Sequence, residues 1–325
     1  MGRVLAELVG DTEDFARALE DRRPQVFRTA GWPAGLPRPD ELDAVLHGGL
    51  LRVPYVEMVM GGEVVAPERF CTARTVAGRR DEGWADPGRI AALLAEGATL
   101  LLPQLDQWHA PVRALAGDIA LQLGRRTEAF CFATGAGRRG LDVHRDDADV
   151  LVVQLAGEKE WTVHEAPADG RWRPGLAPEP GPVAVQTVLA PGEVLYVPRG
   201  APHAATGRQG LSVHLSFVVR EVGTGRLHAA VGEFLAAGAS RGGGSGSGSG
   251  SGTGSGSGTG TGTGAGDLPE RPGTAADLLA AAAEVLHRSR ARLAELTPEE
   301  LLRFARGPLP DPAPDTPPLP GPLGG

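Results

Sequence analysis

Residues 144–155 read His144-Arg145-Asp146-Asp147-Ala148-Asp149-Val150-Leu151-Val152-Val153-Gln154-Leu155. The run from Asp146 to Leu155 is rich in β-branched and aliphatic residues, as a buried or half-buried strand is. Side chains two residues apart on a strand point to one face, so His144 and Asp146 at its opening can bind one ion together. Arg145 points the other way, and Asp147 and Asp149 read as partners in surface ion pairs. Downstream, Glu193-Val194-Leu195-Tyr196-Val197-Pro198 reads as a second strand running into the turn Pro198-Arg199-Gly200-Ala201-Pro202-His203. His203 is thus held at a strand mouth and is the candidate third ligand. Two imidazoles and one carboxylate leave three octahedral positions open, which suits non-haem Fe(II). Zinc with a bound water is the chemical rival.

Two further motifs accompany these ligands. Gln154-Leu155-Ala156-Gly157-Glu158-Lys159-Glu160-Trp161 follows the H-x-D pair, and Leu189-Ala190-Pro191-Gly192-Glu193-Val194-Leu195-Tyr196-Val197-Pro198-Arg199-Gly200 precedes His203. In order and spacing the three motifs resemble the JmjC-type cupin oxygenases, closest to the ribosomal oxygenase branch, over roughly residues 90 to 220. The resemblance implies a fold that is mainly β with flanking helices, a double-stranded β-helix (jelly-roll, cupin); composition and periodicity add a flexible linker and a short helical tail after it. It also implies Fe(II) on His144, Asp146 and His203, with 2-oxoglutarate as cosubstrate. The implied activity is a dioxygenase that hydroxylates a protein or peptide side chain while 2-oxoglutarate is decarboxylated to succinate.

In that family a basic residue of the G-x-K-x-W segment grips the distal carboxylate of 2-oxoglutarate, and Lys159 stands at this position. It is the only lysine in the chain, all other basic residues being arginine. Strand alternation puts Lys159 on the face of Trp161 and Val163, so its stem is expected to enter the barrel. The chain departs from the family at Phe132, where members often carry a tyrosine that helps to hold the same carboxylate. Losing that hydrogen bond costs about 1.5–3 kcal/mol of cosubstrate affinity unless Thr134 or Ser216 replaces it. No catalytic residue beyond the metal ligands is expected. A small-molecule hydroxylase and a noncatalytic cupin-like metal- or ligand-binding module are the alternatives.

His214 lies in Leu211-Ser212-Val213-His214-Leu215-Ser216-Phe217, where Ser212, His214 and Ser216 share a face. It either lines the pocket or is a hydrogen-bonded core histidine. His164 falls on the face opposite Lys159, and His109 sits near a helix start, so both read as structural or surface residues. Cys71 and Cys131 are too few for a disulfide framework and lack metal-ligand spacing, which fits a reducing cytosol.

Composition divides the chain into residues 1–235, an oxygenase domain with its metal motifs within 140–217; 236–266, a Gly/Ser/Thr-rich linker; 267–306, a helical segment; and 307–325, a Pro-rich tail expected to be disordered. Residues 1 to about 90 offer candidate strands at Leu50–Val53 and Val56–Val59, followed by a helix from Pro87 to Ala95, a strand from Ala98 to Leu102 and a helix from Pro111 to Leu123. Ala275 to Leu296 has helical period, and Thr297-Pro298-Glu299-Glu300 is a capping box opening a second helix. A net charge of −8 and a pI near 5.5 argue against direct nucleic-acid binding. No run of eighteen apolar residues is present, so no membrane partner is expected and a cytoplasmic location is. A homodimer is compatible with the sequence.

Overall fold

Side chains of the strand Ala148–Ala156, the ninth in the chain (β9), enter two apolar cores in alternation, and nearly all are buried. Val150 and Val152 join an apolar cluster with Trp161, Val163, Leu195 and Val197, while Leu151, Val153 and Leu155 face a second, larger cluster. A strand buried on both faces is the centre of a layered fold. The computed structural model describes residues 3–138, 140–168, 171–240 and 275–310. Its strands are β1 (Gln25–Arg28), β2 (Glu57–Met60), β3 (Glu63–Val64), β4 (Cys71–Val76), β5 (Arg79–Ala85), β6 (Thr99–Leu102), β7 (Thr127–Thr134), β8 (His144–Arg145), β9, β10 (Lys159–His164), β11 (Gly175–Leu176), β12 (Val183–Leu189), β13 (Glu193–Val197), β14 (His203–Gly207) and β15 (Ser212–Arg220). The helices are α1 (Arg3–Val9), α2 (Thr12–Glu20), α3 (Pro39–His47), α4 (Pro87–Glu96), α5 (Leu105–Trp108), α6 (Ala110–Leu123), α7 (Thr224–Ser240), α8 (Ala275–Glu295) and α9 (Pro298–Arg306).

An eight-stranded antiparallel sheet in the order β1-β13-β9-β15-β7-β6-β2-β3 faces a five-stranded one in the order β11-β8-β14-β10-β12. The smaller cluster fills the space between them, with Trp161 and Val163 of β10 meeting Val150, Val152 and Val197 of the larger sheet. On its far side the larger sheet is covered by helices, through Leu5, Phe15, Ile90, Leu115 and Ile119. This is the expected jelly-roll with flanking helices; β2 matches the strand expected at Val56–Val59, while β1, which the sequence reading did not find, also extends the larger sheet.

Local chemistry sets the helix ends. Asp86 caps α4 by accepting from Arg89 N, and Gly97 ends it at φ +104°. His109 has the structural role expected of it: its Nδ1 accepts from Val112 N and opens α6. Thr297 and Glu300 form the expected reciprocal capping box of α9. At the β9–β10 turn Gly157 has φ +60°, and a Cβ there would collide with the Leu211 carbonyl.

Three expectations change. Leu50–Val53 is not a strand, since only Arg52 forms an isolated bridge to Trp84, and Pro54 next to it cannot donate to a ladder. The strand expected from Asp146 begins at Ala148, and the two-residue β8 just before Asp146 belongs to the other sheet. Asp149 is buried rather than on the surface. It pairs with Arg125 at 2.7 Å and accepts from Tyr196 Oη and Arg199 N, each at 2.9 Å. Asp147 does make a surface ion pair, with Arg199 at 2.6 Å.

Residues 222–308 form a second compact unit, separate from residues 1–221. Within it α7 packs on α8 and α9, with Phe234 edge-on to Phe304 at 5 to 7 Å spacing typical of such pairs, here 6.1 Å, and Arg292 over Phe234 at 4.7 Å. Of the expected linker, residues 236–240 lie in α7 and those from 241 onward lie outside the described residues, as does the Pro-rich tail from 311. Among the described residues no helix is long and apolar enough to cross a membrane.

Replacing Asp149 with Ala leaves the buried Arg125 guanidinium with only the more distant Glu221, at 3.6 Å, and orphans Tyr196 Oη and Arg199 N, and is expected to cost about 3–5 kcal/mol. Tyr196→Phe, which removes one hydroxyl, should cost only about 0.5–1.5 kcal/mol. Urea unfolding midpoints of the two variants check this, and equal small losses would contradict the buried network.

Candidate metal centre

Antiparallel pairing places His203 of β14 directly opposite His144 of β8 and, on its other side, opposite Val163 of β10. The two imidazoles are 4.4 Å apart between ring centres. Asp146 stands where the chain crosses from the smaller sheet to the larger, outside any strand. Its carboxylate oxygens lie 4.0 Å from His144 Nε2 and 3.5 Å from His203 Nε2. The three ligand atoms fall within 4.8 Å of one another, close enough to share one metal ion. The i, i+2 spacing therefore brings His144 and Asp146 together through a crossover between sheets and not along one strand.

The Nδ1 atoms point away from this centre. His144 Nδ1 is 2.8 Å from the Asp142 carbonyl, and His203 Nδ1 is 3.0 Å from the Ala201 carbonyl. A ring that donates from Nδ1 presents the lone pair of Nε2, the state a metal requires. Burial, and then the neighbouring His144, lower the pKa of His203, against the opposing pull of Asp146. Both effects favour the neutral imidazole that ligates.

A cavity of about 130 Å³ takes in the three ligands and is walled by Phe130, Phe132, Val150, Val152, Trp161 and Val218, with Thr99, Lys159, His214 and Ser216 as its other polar members. Lys159 is only 2 % exposed. Its Nζ donates to Thr134 Oγ1 at 3.1 Å and lies 3.3 Å from His214 Nδ1, with no carboxylate in ion-pair range among the described residues. Burial lowers its pKa from the ordinary lysine value to about 7. The same burial, reinforced by Lys159, holds His214 well below the usual imidazole range. His214 is thus both a pocket-lining and a hydrogen-bonded core residue.

Phe132 lines the cavity and stacks on His214 with ring centres 4.9 Å apart. Of the two residues that might have supplied the missing hydroxyl, Thr134 is beside Lys159 and 3.2 Å from Thr99 Oγ1. Ser216 lines the cavity two residues beyond His214 on β15. His164 is buried away from the cavity, 2.8 Å from the Gly181 carbonyl. Cys131 is buried too, its thiol pushed up to about 12. Two features escaped the sequence reading. Thr99, from β6, reaches Lys159 through Thr134, and its being the only polar residue in Thr99-Leu100-Leu101-Leu102 was the available signal. Trp161 Nε1 is buried without a hydrogen-bond partner while its ring stands between His203 and His214.

The residues present fit an iron and 2-oxoglutarate site. Two Nε2 lone pairs and a carboxylate converge on one point, and in the same cavity stands a buried lysine with no carboxylate partner among the described residues, where a buried cation ordinarily has a paired anion.

Residues 106–227 match the JmjC domain family. Rat ribosomal oxygenase 1 is 30% identical over 234 residues, which cover 66% of this chain and 39% of that protein. Rat ribosomal oxygenase 2 is 36% identical over 120 residues, covering 34% of this chain and 26% of its own length. The chain therefore spans well under half of the curated relatives it matches. Among solved structures, E. coli ycfD superimposes with a TM-score of 0.51 at 19% identity, covering 90% of this chain and 70% of that one, a likeness of fold.

A lysine held near pKa 7 gains charge on unfolding, so the metal-free fold should become more stable as pH rises from about 7 towards the unfolded value, and stay least favoured below 7. Lys159→Met should remove that slope and raise stability at neutral pH by on the order of a few kcal/mol. Denaturant unfolding at a series of pH values tests this, and a variant less stable than wild type would show that the lysine is not held at a cost.

Proposed function

Residues 106–227 being a JmjC domain, we propose that this chain is an Fe(II)- and 2-oxoglutarate-dependent oxygenase that hydroxylates a protein or peptide side chain. The observation that carries this reading is the lone buried lysine in the same cavity as a two-histidine, one-carboxylate cluster. A zinc hydrolase has no use for such a cation, whereas a dicarboxylic cosubstrate with one end near the ligands and the other on Lys159 neutralises it. His144, Asp146 and His203 would hold the metal, which with 2-oxoglutarate and dioxygen would supply the oxidising chemistry, one oxygen atom ending in succinate as carbon dioxide is lost and the other in the hydroxylated substrate.

The chain's own residues do the rest. Lys159, when protonated, meets the distal carboxylate by a charge-assisted hydrogen bond in a low-dielectric site. Thr134 accepts from Lys159 and shares a second hydrogen bond with Thr99, so it holds the ammonium in place, while Ser216, which lines the cavity, is the hydroxyl better placed to stand in for the absent tyrosine at Phe132. The apolar walls formed by Phe130, Val150, Val152 and Val218 exclude water. A protein substrate is supported by the relatives, which are named ribosomal oxygenases. Phe132 is the observation on the side of a second reading, a cupin-like binding module that holds metal without turning over cosubstrate.

Anaerobic titration of the metal-free protein with Fe(II) and 2-oxoglutarate, following the visible charge-transfer band of the chelate, separates the two. Wild type should show the band, His144→Ala should lose it, and Lys159→Ala should weaken 2-oxoglutarate binding by about a hundredfold or more. Because only the protonated lysine attracts the dianion, affinity should fall as pH rises above about 7. Metal binding without a band, or a band indifferent to Lys159, would favour the binding module.

A further inference from the structure

The ends of the sheets differ in how they are protected. A strand edge offers unpaired N–H and C=O groups, and proteins that leave one in water shorten it, charge it or break it with proline. Here β3 and β11 are two residues long and β1 is four. The separate β4–β5 ribbon is longer, but it carries Arg74, Arg79, Arg80, Asp81 and Glu82. The seven residues of β12, Val183-Ala184-Val185-Gln186-Thr187-Val188-Leu189, have neither protection. They contain no charge and no proline, and they end the five-stranded sheet with a hydrogen-bonded neighbour, β10, on one side only. The single irregularity is a bulge at Ala184, at the strand's first turn of pairing. Val183 is 52% exposed and Val188 is 37% exposed.

We propose that this edge is an interaction surface whose occupant is the same strand of a second copy of the chain, paired antiparallel across a two-fold axis to join two five-stranded sheets into one of ten. The strand is self-complementary. With the axis through Gln186, Val185 meets Thr187 and Gln186 meets itself; with the axis through Thr187, Val185 meets Leu189 and Gln186 meets Val188. Neither register opposes like charges, despite the chain's net charge of −8. The other candidate occupants within the chain are poor strand formers. Residues 241–274 are dominated by Gly, Ser and Thr, and residues 311–325 by Pro, which cannot donate to a ladder. Two short strands bury less than the roughly 1,600 Å² of a standard stable interface, so the dimer is reversible and concentration-dependent. β12 also pairs directly with the strand that bears the buried lysine, Leu189 lying opposite Lys159 and Thr187 opposite Trp161. The joined sheet therefore braces one wall of the cavity.

Sedimentation velocity of the full chain over a concentration series tests the pairing. Gln186 and Val188 both face solvent but adjoin Glu160 of β10, which lies opposite Val188 and accepts from Gln186 Nε2 at 3.3 Å, so the double variants Gln186→Lys with Val188→Lys, and Gln186→Glu with Val188→Glu, are made in a Glu160→Gln background, where both should fold. Either register then sets like charges against each other or within one residue pair, and each double variant should dimerise at least about tenfold more weakly than wild type. An equimolar mixture of the two should recover the dimer, because lysine then meets glutamate. A wild type that stays monomeric throughout, a dimer that survives in the lysine variant, or a mixture that fails to re-form it would each overturn the proposal.

Discussion

The register of β14 between β8 and β10 is the constraint on which the candidate centre rests. Because side chains alternate with a period of two, a slip of one residue would turn His203 from the cavity to the outer face and leave His144 facing Ala204. Register is held by burial on the inner face: Trp161 and Val163 on β10 must meet Val150, Val152 and Val197 of the larger sheet. The same packing that makes the barrel's core sets the ligand geometry. Asp146 follows from it as well, since the crossing from β8 to β9 delivers its carboxylate between the two rings.

Against that apolar core the protein sets one cation. Lys159 is tolerated because its Nζ finds Thr134 and His214, yet among the described residues no acid offsets its charge. The valine and phenylalanine walls around it make that unpaired cation costly to hold. His214, forced neutral by its surroundings and stacked on Phe132, adds a hydrogen-bonding group without adding a second charge.

The three candidate ligands and Lys159 were legible because residue type and spacing carry them: a histidine two before an aspartate, a histidine after a strand and a Pro/Gly turn, and a solitary lysine beside a tryptophan. The helix α9 was legible from its capping box, and α4 and α6 from the apolar stretches that follow Pro87 and Pro111. What could not be read depends on distant partners. Asp149 looks like one more acid in an acidic stretch until Arg125 and Tyr196, 24 and 47 residues away, fold onto it. The β4–β5 ribbon has no core-facing row to create a pattern, so its charged sequence hides two strands. Conversely Leu50–Val53 is apolar enough for a strand, but a neighbouring proline and the lack of a partner leave it irregular.

Each histidine is oriented by the carbonyl two residues before it, Asp142 for His144 and Ala201 for His203. Both braces are therefore carried within the short segments that carry the ligands themselves. Most of the cavity's walls come from other strands, β2, β6, β7, β9, β10, β13 and β15. Ligand orientation and pocket shape are in this way modular: side chains such as Val59, Leu101 or Phe130 can be exchanged to reshape what the cavity admits while the two imidazoles keep their aim. A fold partitioned like this can acquire new substrates by altering its walls, without having to rebuild its metal cradle each time.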